Sequence, residues 1–363
     1  NNMNDANELI SFIASMSGEG NLRVEENLGE GYVRLRVSEA ERRQAKHDIQ
    51  HVEDIVIEML RNARDAGADK VYLAMTKEDG VRTLVFLDNG SGVPQDMQER
   101  IFDARVTSKL ESMKMDRWGV HGRGMALFSI KQNTDEARVV ASDVDLGSVF
   151  KVSVATDRLG ERADQSSWPQ AVKDEDGHYV CARGPHNIIR AACEFALEEL
   201  RACDVYLGSP SEIAATLHAQ ASSHLDASRL LFIDDEAELP VVDRLGLASD
   251  AEDFIRICSG LGLEMSERTA HRILAGQIKP VRGVTARLLR ERDSSSHASA
   301  PVDLAKDRRG LRIAKDDMAQ FSRAVERDFN DLASRYYLNL CGDPKIRVSR
   351  DRITVTFDLA KEE

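Results

Sequence analysis

Residues Val52–Ala66 hold the tightest constraint in the sequence. Apolar side chains recur there with the 3.6-residue period of a helix, and such a helix needs a core to lie against. Val52, Ile55, Val56, Met59, Leu60, Ala63 and Ala66 fill one arc, which must be the buried face. Glu58, Asn62 and Asp65 stand at i, i+4 and i+7, inside an arc of roughly 60° at about 100° per residue. This polar trio lies at the edge of the core stripe rather than on its solvent side. A carboxylate at such a rim can be partly desolvated, which suits a general base. An Asn one turn along can offer its amide oxygen to a hard cation. An ordinary amphipathic helix with polar flanks carries the same pattern, so the helix alone decides nothing.

The surface that would cover this helix is readable nearby. Lys70–Met75 and Arg82–Leu87 are strand-like runs around the turn signal Lys77-Glu-Asp-Gly. Arg138–Ser142 and Ser148–Val154 are two more, with a helix starting at Ala126–Lys131 before them. Upstream, Leu22–Val24 and Tyr32–Val37 flank the turn-rich Asn27-Leu-Gly-Glu-Gly as a candidate hairpin, and Asn7–Ser15 reads as a short helix. The mixture predicts an α+β fold. Further on, Ala163–Pro185 is polar and turn-rich, Asn187–Arg201 and Pro210–His218 read as helices, and Asp253–Leu289 is helical with a Gly-rich break. Asp293–Pro301 is a second linker by composition, before a helix at Lys315–Tyr336 and a hairpin of Lys345–Val348 with Arg352–Phe357. The expected organisation is a first domain over 1–160, a linker over 161–186, a mainly helical domain over 187–292 and a small helix-plus-hairpin piece over 302–363.

Two Gly-rich segments stand beside these elements. Asp88-Asn-Gly-Ser-Gly-Val-Pro94 follows a strand directly; Gly90 and Gly92 permit a close backbone approach, and Asp88 can accept a hydrogen bond from an exocyclic amine. Gly119-Val-His-Gly-Arg-Gly124 leads into a helix whose free N–H groups favour an anion. No strand signal precedes it, only polar, Met-rich Lys109–Trp118, so it is no dinucleotide-binding fingerprint, and no GxxxxGK[ST] occurs.

Taken together, in this order and at these intervals, the segments resemble the Bergerat-fold (GHKL) ATPases. That superfamily holds DNA gyrase B, the ninety-kilodalton heat-shock chaperone, histidine kinases and MutL. Glu58-x-x-x-Asn62-x-x-Asp65-Ala66 looks like its N box, Asp88-x-Gly90-x-Gly92 like its first glycine box, and Gly119-x-His121-Gly122-x-Gly124 like its second. Gly147-Ser148-x-Phe150 is similar to the last box, with Ser in place of the usual Thr. Asn62-Ala-Arg-Asp-Ala-Gly-Ala68, Thr107-Ser-Lys109 and Arg123-Gly-Met-Ala-Leu127 read most like MutL-type stretches. Met125 departs from the Glu usual in MutL, and His121 is more like gyrase. Nothing after Val154 resembles the second MutL domain, so mismatch repair does not follow.

The resemblance, which covers about Asp48–Val154, implies a Bergerat-type α/β sandwich with a mixed, mainly antiparallel sheet and helices on one face. It implies ATP and Mg²⁺ as ligands, with Glu58 as the base for the attacking water, Asn62 on the metal and Asp65 holding the water and metal network. Asp88 would read adenine beside Gly90, Gly92 and Ser148. Lys109, Gly119, His121, Gly122, Arg123 and Gly124 would contact phosphates, and Asp103–Trp118 would be a mobile lid. A nucleotide-driven conformational or dimerisation switch, with a homodimer as partner, is the implied output.

Other functions stay open. Histidine kinases keep their phosphoacceptor on a separate upstream helix, whereas His47 and His51 precede Glu58 by only 11 and 7 residues. A kinase of the anti-sigma type, which lacks that helix, is not excluded by this spacing. An ATP-sensing DNA-binding regulator is the other class. Phe254–Leu263 followed by Ser266–Leu274 is similar to a helix-turn-helix with a long turn, and Arg268 and Arg272 are its candidate DNA contacts. The overall charge of −13 argues against a general nucleic-acid coat, yet His271–Lys315 holds 11 basic and 4 acidic residues, so DNA is expected through 253–315 or nowhere. The 5 scattered cysteines, without a CxxC, read as reduced thiols. With no apolar run near the roughly 20 residues of a membrane span and no signal-like N-terminus, a soluble cytoplasmic chain without a membrane partner is expected.

Overall fold

The structure, a computed structural model, describes residues 24–108, 114–116, 119–121, 124–162, 164–200, 202–225, 233, 235–289, 318–319, 321–322, 324–326, 329, 338–342, 344–348 and 353–361. Residues 1–293 and 294–363 form two compact units. In chain order the first unit contains β1 (Val24–Gly29), β2 (Tyr32–Leu35), α1 (Glu39–Asp48), α2 (Val52–Asp65), β3 (Lys70–Glu78), β4 (Val81–Asp88), β5 (Val106–Thr107), β6 (Lys114–Asp116), β7 (Gly119–His121), α3 (Ala126–Asn133), β8 (Glu136–Ser142), β9 (Ser148–Ala155), β10 (Gln170–Lys173), β11 (Tyr179–Arg183), α4 (Ile188–Glu198), β12 (Asp204–Gly208), α5 (Pro210–His224), α6 (Ala251–Gly260) and α7 (Glu267–Leu274). The expected helix at Asn7–Ser15 and the linker at Asp293–Pro301 lie outside the described residues. No helix among the described residues is long and apolar enough to cross a membrane.

A five-stranded sheet of order β12-β3-β4-β9-β8 forms the centre, with β12 parallel to β3 and the other pairs antiparallel. The β3–β4 turn closes on Asp79 and Gly80, both at positive φ, as a two-residue hairpin demands. Alternate side chains serve two cores. Val71, Leu73, Leu84, Phe86, Phe150 and Val152 meet α2, α3 and α4 on one face. Tyr72, Ala74, Val85, Leu87 and Val149 meet α5, α6 and α7 on the other. Burial on both faces explains why these strands read as nearly continuous apolar runs. The Bergerat-type sandwich thus has its helices on one face as expected, and the helical middle region closes the opposite face. The sheet itself runs across the boundary expected at 160, because β12 is its edge strand.

Three elements depart from the sequence reading. α1 has no apolar period to announce it: only Ala45 on it is buried, although its Ser38–Glu41 capping box is formed, with Ser38 N donating to Glu41 Oε2 at 2.8 Å. Instead of a linker alone, the polar stretch over 161–186 folds into the β10–β11 hairpin. α2 is buried beyond its apolar arc: Ile57, Glu53 and Arg61 are covered as well. Glu53 Oε1 accepts from Arg162 N at 3.1 Å and from Gln165 Nε2 at 2.6 Å, so the chain after β9 covers that flank.

Arg82 of β4 ties the same segment down. Its guanidinium grips Glu161 at 2.6 and 3.1 Å, and Lys77 Nζ reaches the same carboxylate at 3.1 Å. Burial pushes the Glu161 carboxyl up, but its bonds from Arg82 and Lys77 outweigh that and hold it below the usual range. A carboxyl depressed on folding contributes stability above its unfolded pKa, about 4.3, and loses it as pH falls through the folded value. Glu161→Gln is therefore expected to flatten the loss of stability below about pH 4.5, read as urea midpoints against pH; a variant as acid-sensitive as the parent refutes the assignment.

In the second unit the described residues of 318–329 are helical, β13 (Leu338–Leu340) pairs with β16 (Leu359–Lys361), and β14 (Lys345–Val348) pairs with β15 (Ile353–Thr356) as the hairpin expected there.

Candidate functional site

A cavity of about 450 Å³ opens between α2, the C-terminal end of β4 and the start of α3. That is within the roughly 300–1,000 Å³ range of small-ligand sites. Glu58, Asn62 and Asp65 all line it, which is what their position at the rim of the helix's apolar stripe demands. Glu58 Oε1 accepts from Arg61 Nη1 at 2.7 Å, and the Arg61 side chain is 3% exposed against 22% for Glu58, so the carboxylate faces the opening from a buried anchor. Asp65 Oδ1 accepts from Arg64 Nε at 2.9 Å, and Arg64 Nη1 reaches Glu199 Oε1 on the chain after α4 at 3.0 Å.

The far wall comes from paired strand ends. Asp88 closes β4 directly opposite Ser148, which opens β9, and both are buried on the cavity. Asp88 Oδ1 accepts from Gly90 N at 2.8 Å, which fixes the carboxylate. Ser142 organises the loop beside them. Its Oγ accepts from Val93 N at 2.7 Å, donates to Gly147 O at 2.8 Å and lies 3.3 Å from Ser148 Oγ. Phe86 and Phe150 add an apolar surface between the polar walls.

The glycines divide by role. Gly92, at φ +71°, lines the cavity, and a Cβ there would stand 1.8 Å from Asp143 O. Gly124, at φ +68°, also lines it, against the β5 backbone. Gly90 does not line it. A Cβ on Gly90 would sit 2.8 Å from Ala66 O, so this glycine lets the strand end close on the end of α2.

The second Gly-rich segment is only partly described. Lys109, Gly122 and Arg123 lie outside the described residues. Gly119 and His121 belong to β7, which pairs with β6 over Lys114–Asp116, so a strand does precede the loop despite the polar, Met-rich sequence. The lid expected over Asp103–Trp118 starts too early, because Ala104–Thr107 is buried and β5 is the third strand of the β1-β2-β5 sheet. Arg105 pairs with Glu41 and so holds α1 beside this segment.

Four polar lining residues escape a reading of the sequence: Tyr32 of β2, Gln44 and Asp48 of α1, and Arg61. Burial raises the Tyr32 hydroxyl's pKa, against a smaller opposing effect from its hydrogen bond with Ser108. Among the described lining residues the charged groups are Asp48, Glu58, Asp65 and Asp88 against Arg61 alone. A polyphosphate entering such a site requires cations with it, and the amide and carboxylate oxygens of Asn62, Glu58 and Asp65 are the hard donors that a small divalent cation takes.

Residues 49–142 match the family model described as "Histidine kinase-, DNA gyrase B-, and HSP90-like ATPase". The DNA mismatch repair protein MutL of Pediococcus pentosaceus is 30% identical over 115 residues, which cover 31% of this chain and 17% of that protein. The DNA mismatch repair protein MutL of Staphylococcus aureus (strain Newman) is 28% identical over 136 residues, 35% of this chain and 20% of its own length. The chain thus spans no more than 20% of the length of these curated relatives. The matched segment contains α2, β3, β4 and the cavity residues from Ile49 to Ser129, and it is similar to the GHKL ATPase domain and to MutL.

Proposed function

We propose that the cavity binds ATP together with Mg²⁺ and hydrolyses it, and that the nucleotide state drives a conformational or dimerisation change. The observation that carries this reading is the convergence of Glu58, Asn62 and Asp65 from one helix with Asp88 and Ser148 from two paired strand ends on a single cavity. Asp88 accepts a hydrogen bond from the adenine amine, and Ser148 offers its hydroxyl beside it. Glu58 takes the proton from the attacking water as oxygen adds to the γ-phosphorus and the bond to ADP breaks. Asn62 would hold the cation through its amide oxygen, and Asp65 would steady the surrounding water. A divalent cation held there would supply positive charge against the charge that develops on the phosphate oxygens. Gly124, with Gly119 and His121 of β7, would contribute backbone N–H groups to the phosphates.

ATP with Mg²⁺ is expected to raise the melting temperature by several degrees, as a ligand at 100 times its Kd adds about 2.7 kcal/mol. Asp88→Ala removes a charged acceptor and should weaken ATP binding roughly 10- to 100-fold, the equivalent of about 1.5–3 kcal/mol. No shift with ATP or a non-hydrolysable analogue refutes the reading. Product analysis with γ-labelled ATP completes the test: free phosphate is expected, and a labelled protein in its place would turn the assignment to a kinase.

A further inference from the structure

α6 and α7 lie outside the segment matched by the ATPase family and carry a surface that the nucleotide site does not use. Phe254, Ile257 and Cys258 of α6, Leu261 and Leu263 of the connection, and Ala270 and Ile273 of α7 are buried in one core with α5. The connection holds residues 261–266, with Gly262 at φ +70° turning the chain and Ser266 capping α7 through Thr269 N. The length exceeds the usual three or four residues, but Leu261 and Leu263 anchor it as firmly as the helices themselves.

Burial of Ala270 and Ile273 sets the rotation of α7 and leaves Arg268, His271, Arg272 and Ala275 along one exposed stripe at i, i+3, i+4 and i+7. These residues, with Glu267 and Gln277, line an open concavity. Lys279 and Arg282 continue the exposed basic surface, and Arg287 stacks on Trp168 at 3.8 Å just beyond. From 264 to 287 there are 5 Lys or Arg residues and 2 Glu, in a protein whose overall charge is −13. The Glu267 carboxylate stands 3.7 Å from the His271 ring, so the acid at the head of the stripe is engaged locally.

We infer that α7 is the recognition helix of a helix-turn-helix that docks double-stranded DNA. Its roughly 10–12 Å diameter with side chains matches a major groove about 12 Å wide. Arg268, the second residue of α7, and Arg272 one turn later face the groove, and Lys279 and Arg282 contact the flanking phosphates. Basic charge concentrated on one stripe of an acidic protein is the complement that a polyanion selects. The inference stands independently of the nucleotide reading.

The test is anisotropy of a fluorescent 30-base-pair duplex of mixed sequence, titrated with the full chain. With about two phosphate contacts, from Lys279 and Arg282, affinity should fall roughly 10-fold between 50 and 200 mM salt. Replacing Lys279 and Arg282 with alanine should reduce the salt slope by about two, whereas replacing Arg268 and Arg272 together with alanine should weaken binding at least about 10-fold. Both side chains are exposed, so melting temperature and ATP binding of the double variant should match the parent's, which separates this outcome from a failure of the ATP site. Absence of duplex binding at 50 mM salt, binding unchanged by the double substitution, or equal affinity for single-stranded RNA of the same length would each overturn it.

Discussion

Glu58→Gln is expected to lower the rate of ATP hydrolysis by roughly 10²–10⁴, the usual contribution of a positioned general base, while ATP affinity changes little. The glutamine keeps the shape of the side chain and an oxygen that can accept from Arg61 Nη1, now 2.7 Å from Glu58 Oε1, but it has no basic carboxylate. Alanine is a less selective probe. Arg61 is 2% exposed and would lose one charged acceptor, so Glu58→Ala should also cost about 1–3 kcal/mol of stability. The pair separates chemistry from folding: both variants should fail to release phosphate, and only the alanine variant should melt earlier. Measured turnover in Glu58→Gln equal to the parent's would remove Glu58 as the base. Retained turnover in the glutamine variant with loss in the alanine variant would make Glu58 an anchor for Arg61 instead.

How much of the site the sequence shows follows from how local each signal is. The rim position of Glu58, Asn62 and Asp65 depends only on the period of one helix, and all three reach the cavity. Asp88 and Ser148 are visible because each ends or begins a strand, and the register that sets them face to face follows from one antiparallel pairing. Tyr32, Gln44 and Asp48 reach the cavity by tertiary packing alone: α1 has a single buried residue, so its sequence shows no apolar face to orient it. β12 is hidden for a related reason. Five residues long and lodged between two helices, it gains its identity from a parallel pairing of Val205 with Val71, more than 130 positions away. Arg61 is masked by its chemistry, since a guanidinium on the buried flank of α2 contradicts the apolar pattern and is tolerated there through its bond to Glu58.

Gly92 of the first glycine box and Gly67, which follows α2, provide the most stringent test of the site's architecture, because they share a positive φ and differ in surroundings. Both have positive φ, at +71° and +75° respectively. Gly67 follows α2 in open space, with nothing within 4 Å of where a Cβ would stand, whereas the same atom on Gly92 would lie 1.8 Å from Asp143 O. Gly67→Ala should therefore cost only the left-handed strain, about 1–2 kcal/mol, and leave ATP affinity within about twofold. Gly92→Ala carries that strain and must also displace the Asp143–Gly147 loop. This loop is held to the box by Asp145 N donating to Ser91 O at 2.8 Å, and Ser91 N in turn donates to Ala66 O at 2.9 Å. Moving it pulls on Ser148 and on Asp88, whose carbonyl oxygen already stands where a side chain on Gly147 would need to go. The expected result is a melting temperature lower than that of Gly67→Ala and ATP binding weakened by more than about 10-fold, some 1.4 kcal/mol, read by thermal unfolding and titration calorimetry. Equal losses in the two variants would mean that backbone strain alone, and not the packing of the loop against the box, sets the cost; normal ATP binding in Gly92→Ala would detach the loop from the nucleotide site altogether.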